Sequence, residues 1–105
     1  SVAGKSGPLP ARSSEEIQVV FDRNKGTLNA IYNRALRQNP ALAGKVVLKL
    51  TIAPDGTVSQ CELVSSELED PELERKLVAR VQLFDFGRKS AAATTITYPI
   101  DFFPG

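Results

Sequence analysis

The sequence predicts an α+β domain, a two-layer sandwich of order α-β-β-α-β with a three-stranded antiparallel sheet and two helices on one face. Three observations carry that reading. Apolar residues recur at spacings of three and four over residues 17–35 and again over 73–84, which is the helical period. Two β-branched runs flank Ala53-Pro54-Asp55-Gly56, a tight-turn sequence. The chain closes on Thr95-Ile96-Thr97-Tyr98-Pro99-Ile100-Asp101-Phe102, which alternates with the period of a strand.

Ser1–Arg12 is rich in Gly, Pro and Ser and reads as the end of a flexible linker, placing the domain boundary at residues 13 and 14 and the folded unit over 14–105. Gly4-Lys5-Ser6 lacks the upstream glycine and preceding strand of a phosphate-binding loop. Ser13 and Ser14 ahead of Glu15 and Glu16 supply N-cap hydroxyls and first-turn acids. Ile17, Val20, Phe21, Asn24, Leu28, Ile31, Tyr32 and Ala35 then form the stripe of one long helix reaching about Gln38. Gly26 marks where that helix would break, and Pro40 ends it by forcing Asn39 towards extended geometry.

Gly44 opens a strand over Lys45–Ala53 with Leu48, Leu50 and Ile52 on one face. In the turn that follows, Pro54 suits the second position of a type I turn and Gly56 the left-handed residue of a G1 bulge. The chain returns over Thr57–Ser65. Simple pairing sets Gln60 and Glu62 opposite Leu50 and Leu48; a bulge would instead turn Cys61 and Leu63 inward. Asp70-Pro71 opens the second helix as N-cap and first helical residue. Leu73, Leu77, Val81 and Phe84 stripe it over about 71–83, and Phe86-Gly87 closes it. In the last strand Ile96, Tyr98, Ile100 and Phe102 face the core, and Pro99, lacking an N–H, places the strand at a sheet edge.

Composition narrows the function classes. The 105 residues are 42% hydrophobic and 24% charged, with a net charge of +1, which argues against nucleic acid as the main partner. The charge is uneven: residues 1–49 carry a net +5 and residues 50–105 a net −4. No Met occurs, even at position 1, which points to an excised piece or processed product of a longer protein. No apolar run approaches the roughly 20 residues that span a bilayer.

Chemistry-bearing constellations are scarce. There is no His, the commonest general acid–base, and the single Cys61 has no second cysteine for a disulfide. Neither catalytic residues nor a zinc site nor a cofactor is expected. The acids Glu62, Glu67, Glu69, Asp70, Glu72 and Glu74 lack the alternating spacing of a calcium loop, and most fall where they complement the dipole of the second helix. Arg34, Arg37, Lys45 and Lys49 offer a candidate basic face for an anionic lipid head group or glycan. The exposed edge of the last strand offers a place where a partner strand could add.

Several motifs in order resemble the TonB C-terminal domain: Gly44-x-Val46, Pro54-Asp55-Gly56-x-Val58, Ser65-Ser66, the Leu-striped helix ending in Phe84-x-Phe86, and a closing strand. The resemblance covers about residues 15–103. Ile31-Tyr32-Asn33-Arg34-Ala35-Leu36, Asn39-Pro40-Ala41-Leu42-Ala43-Gly44-Lys45-Val46 and Tyr98-Pro99-Ile100-Asp101-Phe102 are similar to the AgmX/PglI-like branch, although Ile31 stands where that branch often has a Cys. The resemblance implies an energy transducer of a Gram-negative bacterium with an inner-membrane anchor and a Pro-rich periplasmic linker. Motor proteins of the ExbB/ExbD type would engage the N-terminal part. The domain would contact an outer-membrane or envelope protein, and a homodimer is a further option. In TonB proper the last strand pairs with a transporter peptide. Carried over, that role falls on Thr94, Thr95, Ile96, Thr97, Tyr98, Pro99, Ile100 and Asp101. One departure stands out: TonB proper has a Tyr-Pro early in the domain, whereas here it lies in the last strand. The AgmX-like branch is tied to gliding-type motility and envelope complexes.

Overall fold

A computed structural model describes residues 11–104. The Gly4-Lys5-Ser6 triplet and nearly all of the expected linker lie outside the described residues. Helix α1 spans Ser14–Arg23 and α2 spans Lys25–Leu36. Ser13 caps α1 with a full capping box: its hydroxyl accepts from the Glu16 N–H at 3.2 Å, and the Glu16 carboxylate accepts from the Ser13 N–H at 3.2 Å. This satisfies two donors that a helix start leaves open.

The single long helix expected from the apolar stripe is two helices, and Asn24 is where they part. Its backbone leaves helical geometry (φ −101°, ψ 6°), and its side chain gives α2 no cap. The amide instead donates back to the Val20 carbonyl at 2.8 Å. Asparagine readily trades helix continuity for such local bonds, and Gly26 two residues on weakens continuation further. The bend lets Ile17, Val20 and Phe21 of α1 and Leu28 and Tyr32 of α2 all reach the core.

Strand β1 covers Gly44–Ile52 and β2 covers Val58–Ser66, joined by the predicted turn. Gly56 there has φ +95°, and its N–H donates to the Ala53 carbonyl at 2.9 Å. Helix α3 runs Pro71–Val81, capped by Asp70, whose carboxylate accepts from the Leu73 N–H at 3.1 Å. Strand β3 runs Thr94–Phe102. The sheet order is β2-β1-β3, both pairings antiparallel.

Val46, Leu48, Leu50 and Ile52 of the central strand are fully buried. Their alternation with Lys45, Val47, Lys49 and Thr51 shows that the helices cover one face only. Leu73, Leu77 and Val81 of α3 complete the core. At one end Phe21 meets Phe84 edge-on at 5.2 Å and stacks flat on Tyr98 at 3.8 Å. The Tyr32 hydroxyl donates to the Leu42 carbonyl at 2.5 Å, fixing the loop that leads into β1.

The β1–β2 register takes the bulged form. The shift at Thr51/Ile52, with Ser59 as the extra residue, brings Cys61 opposite Leu50 and Leu63 opposite Leu48; the shift at Val47/Leu48, with Val64 as the extra residue, then sets Ser65 and Ser66 opposite Val47 and Val46. Cys61 ends half-buried, while Leu63 stays 37% exposed at the sheet margin.

Candidate functional site: the open edge of strand β3

β3 is hydrogen-bonded to β1 on one side and, among the described residues, to no strand on the other. Its nine residues pair without a register shift, from Gly44–Phe102 through to Ile52–Thr94. Thr94 and Phe102 are buried, Ile96, Tyr98 and Ile100 half-buried, and Thr95, Thr97, Pro99 and Asp101 exposed. This is the alternation read from the sequence. β2, the other margin, is interrupted by two bulges, a feature that discourages further pairing at an edge.

Contacts along β3 hold its shape from both faces. On the helix side, the Phe21–Tyr98 stack and the approach of Tyr32 to Phe102 at 5.0 Å pin two of its side chains. On the open face, the hydroxyls of Thr51 and Thr95 share a hydrogen bond of 2.9 Å across the β1–β3 pair. Burial pushes the Tyr98 phenol above its ordinary pKa, and Asp22 adds to the shift, so the ring stays neutral at the strand. Beside Tyr98–Phe102, the α1–α2 joint and the strand enclose a notch of about 200 Å³.

The four residues of the candidate basic face do not come together. Arg34 and Arg37 lie on α2, whereas Lys45 and Lys49 project from β1 on the opposite, open face of the sheet. Lys45 has Asp101 as its cross-strand neighbour, and Lys49 has Glu62 and Thr97. Arg34 instead borders a groove of about 730 Å³ between α2 and α3, with Lys76 and Arg80 on the other wall. Asp70, Glu72 and Glu74 sit at the start of α3 as cap and first-turn acids, and Glu67 accepts from the Lys45 N–H at 2.7 Å. Among the described residues no three potential metal ligands cluster. Burial, helped by Glu62, pushes the Cys61 thiol above its usual pKa, the reverse of what a nucleophile needs.

Sequence reasoning missed Arg12, which it placed in the linker. Arg12 is 6% exposed. Its guanidinium donates to the carbonyls of Phe86 (3.0 Å), Gly87 (2.7 Å), Pro54 (3.3 Å) and Ala53 (3.4 Å). Its backbone N–H donates to the Thr94 hydroxyl at 3.1 Å. The entering chain is thereby tied to the hairpin turn, the loop after α3 and the start of β3. The only signal in the sequence is an arginine directly before a capping box.

Comparison with known proteins places this architecture. The family model described as Gram-negative bacterial TonB protein C-terminal matches residues 32–104. The chain belongs to the TonB C-terminal family. That is a family of periplasmic protein-interaction domains of Gram-negative bacteria, not of enzymes. Among solved structures, the solution structure of a longer piece of the Helicobacter pylori TonB C-terminal domain is similar over 96% of this chain and 98% of its own, with a TM-score of 0.53 and 21% identity. A shorter piece of the same domain covers 75% of this chain and 90% of its own, with a TM-score of 0.55 and 20% identity. Both show the same fold. The HasB C-terminal domain is 24% identical, over 95% of this chain and 90% of its own, at a TM-score of 0.45, too low to add to the argument. A comparison with curated protein sequences gives no match. The match to the TonB C-terminal model begins at residue 32, so α1 and most of α2 lie ahead of it.

Proposed function

We propose that this is the periplasmic coupling domain of a TonB-like energy transducer and that it takes an outer-membrane or envelope protein by strand addition along Thr94–Asp101. The observation that carries the reading is the contrast between the two sheet margins. β3 keeps nine uninterrupted pairs with β1 and, among the described residues, pairs with no strand on its other side, while β2 is bulged twice. An added strand gains main-chain hydrogen bonds from such an edge and specificity from alternate side chains. An edge proline turns its nitrogen away from the ladder. With Pro99 so placed, the N–H groups of Thr95, Thr97 and Asp101 are the donors open to the partner.

In this reading the parent is anchored in the inner membrane, and motor proteins of the ExbB/ExbD type act through its N-terminal part. Tyr98-Pro99-Ile100-Asp101-Phe102 supports the AgmX/PglI-like branch, in which the object moved would belong to a motility or envelope complex. A glycan-gripping role through Arg34, Arg37, Lys45 and Lys49 is less favoured, because those side chains face opposite sides of the molecule.

Amide NMR titration tests the proposal. Peptides from the periplasmic N-terminal segments of outer-membrane transporters should shift Thr94–Asp101 and leave β2 unmoved. Peptidoglycan fragments that shift Arg34 and Arg37, with peptides leaving β3 silent, would refute it.

A further inference from the structure

The helix side of the β3 edge is not uniform. At the Thr94 end the incoming chain is held against the strand by the Arg12 N–H. At the other end the notch of about 200 Å³ opens beside Tyr98–Phe102. Its floor is apolar, made by Phe21, Leu28, Tyr98 and Ile100, and its rim carries Asp22, Lys25 and Asn29. Tyr98 and Ile100 are only half-buried, so apolar surface there is still in contact with water.

We propose that the strand added to β3 carries one large apolar side chain that seats in this notch beside Ile100, so that the α1–α2 joint selects the partner. The inference rests on the strand-addition reading and adds a side-chain requirement to it. A strand paired to β3 runs about 4.8 Å outside it and turns every second side chain to the helix side. One of those side chains must then lie over Tyr98–Ile100, against the wall formed by Phe21 and Leu28. A space of this size holds a leucine or a phenylalanine with room to spare. The notch's lining includes charges of both signs, Lys25 together with Asp22 and Asp101, so the rim singles out no charged side chain. Covering half-buried Tyr98 and Ile100 adds apolar burial that main-chain pairing alone does not supply.

The lining of the notch draws on two parts of the chain. The floor residues on β3 fall within the matched segment 32–104, whereas Phe21, Asp22, Lys25, Leu28 and Asn29 precede it. The wall exists because Asn24 breaks the helix, so that Phe21 stacks on Tyr98 while Leu28 still reaches the core.

The test is a set of extended threonine-rich heptapeptides in which a single leucine is stepped through all seven positions, titrated against the domain by amide NMR. One leucine position should bind at least about tenfold tighter than the all-threonine host, with intermolecular NOEs from its methyls to Tyr98 and Leu28. Asn29→Trp, at an exposed rim position, should fill the notch and abolish that preference while the melting temperature stays within a few degrees. The NOEs in the unaltered domain decide the matter even if this variant folds poorly. Equal binding of all seven peptides with shifts along β3 would overturn the notch inference and leave strand addition standing. Failure of every peptide to shift β3 would overturn both.

Discussion

Leu50 has no exposed surface and lies at the middle of the central strand, between Cys61 on one side and Ile96 on the other. Leu50→Ala should therefore cost about 2–5 kcal/mol, from lost transfer energy and the cavity left behind. Denaturant unfolding measures this, and a loss below about 0.5 kcal/mol would contradict the inward placement. Gly56 is constrained differently. Its φ of +95° disfavours any side chain, and an added Cβ would lie 2.6 Å from the backbone nitrogen of Gly87. The backbone conformation alone makes Gly56→Ala unfavourable by about 1–3 kcal/mol. The clash is with main chain and cannot be relieved by a rotamer change, so the loop after α3 should detach. A drop in melting temperature with lost protection of the Phe86 amide, which donates to the Gly56 carbonyl, is the expected result.

At the scale of elements, the capping box of α1 is coupled to a residue far along the chain. Glu16 accepts from Lys89 Nζ at 2.5 Å as well as from Ser13. Lys89 is the larger influence and the Ser13 N–H the next, and together they hold the Glu16 pKa at about 2 against an ordinary 4.5. A carboxylate whose folded pKa is depressed stabilises the fold above its unfolded pKa and loses that contribution as pH falls through the folded value. Stability should thus decline between about pH 4.5 and pH 2. Glu16→Gln should be less stable than the parent at pH 7 and should converge with it near pH 2. The site is exposed, so salt should shrink the difference. Asp55, lowered chiefly by the Thr57 hydroxyl and then by its N–H, contributes in the same direction and keeps some acid sensitivity in the variant. Parallel pH–denaturant titrations of the two proteins check this.

For the whole molecule, Arg12 decides how the chain enters the fold. One guanidinium joins four carbonyls from two loops, Ala53-Pro54 and Phe86-Gly87, while its Nε has no partner among the described residues. Under the proposed coupling role, this is the first tertiary contact among the described residues that a load arriving from the N-terminal side would meet. Arg12→Ala should lower stability by about 1.5–3 kcal/mol, the worth of hydrogen bonds to a charged group. Arg12→Lys should restore little of it, because an ammonium cannot span carbonyls that a planar fork reaches together. Thermal melts combined with amide exchange at Gly56 and Phe86 would report the loss. Exchange unchanged at both amides would show that the tie holds nothing.

What the sequence by itself determined was local: the capping residues at Ser13 and Asp70, the Pro54–Gly56 turn, the stripe of α3 and the alternation of β3. Each depends on a period or a backbone preference that a few neighbouring residues set. The α+β class and the edge position of β3 followed from these. The split at Asn24 was half-legible, since Gly26 marked the place, but only packing shows Phe21 and Leu28 both needing the core. The inward turn of Cys61 needed the bulge at Ser59, which depends on pairing with β1 and not on β2 alone. Arg12, the separation of Arg34 and Arg37 from Lys45 and Lys49, and the notch beside Ile100 were decided by tertiary structure alone. They join residues tens of positions apart, and no local periodicity records which side of a sheet two distant cations will face or which carbonyls a buried guanidinium will find.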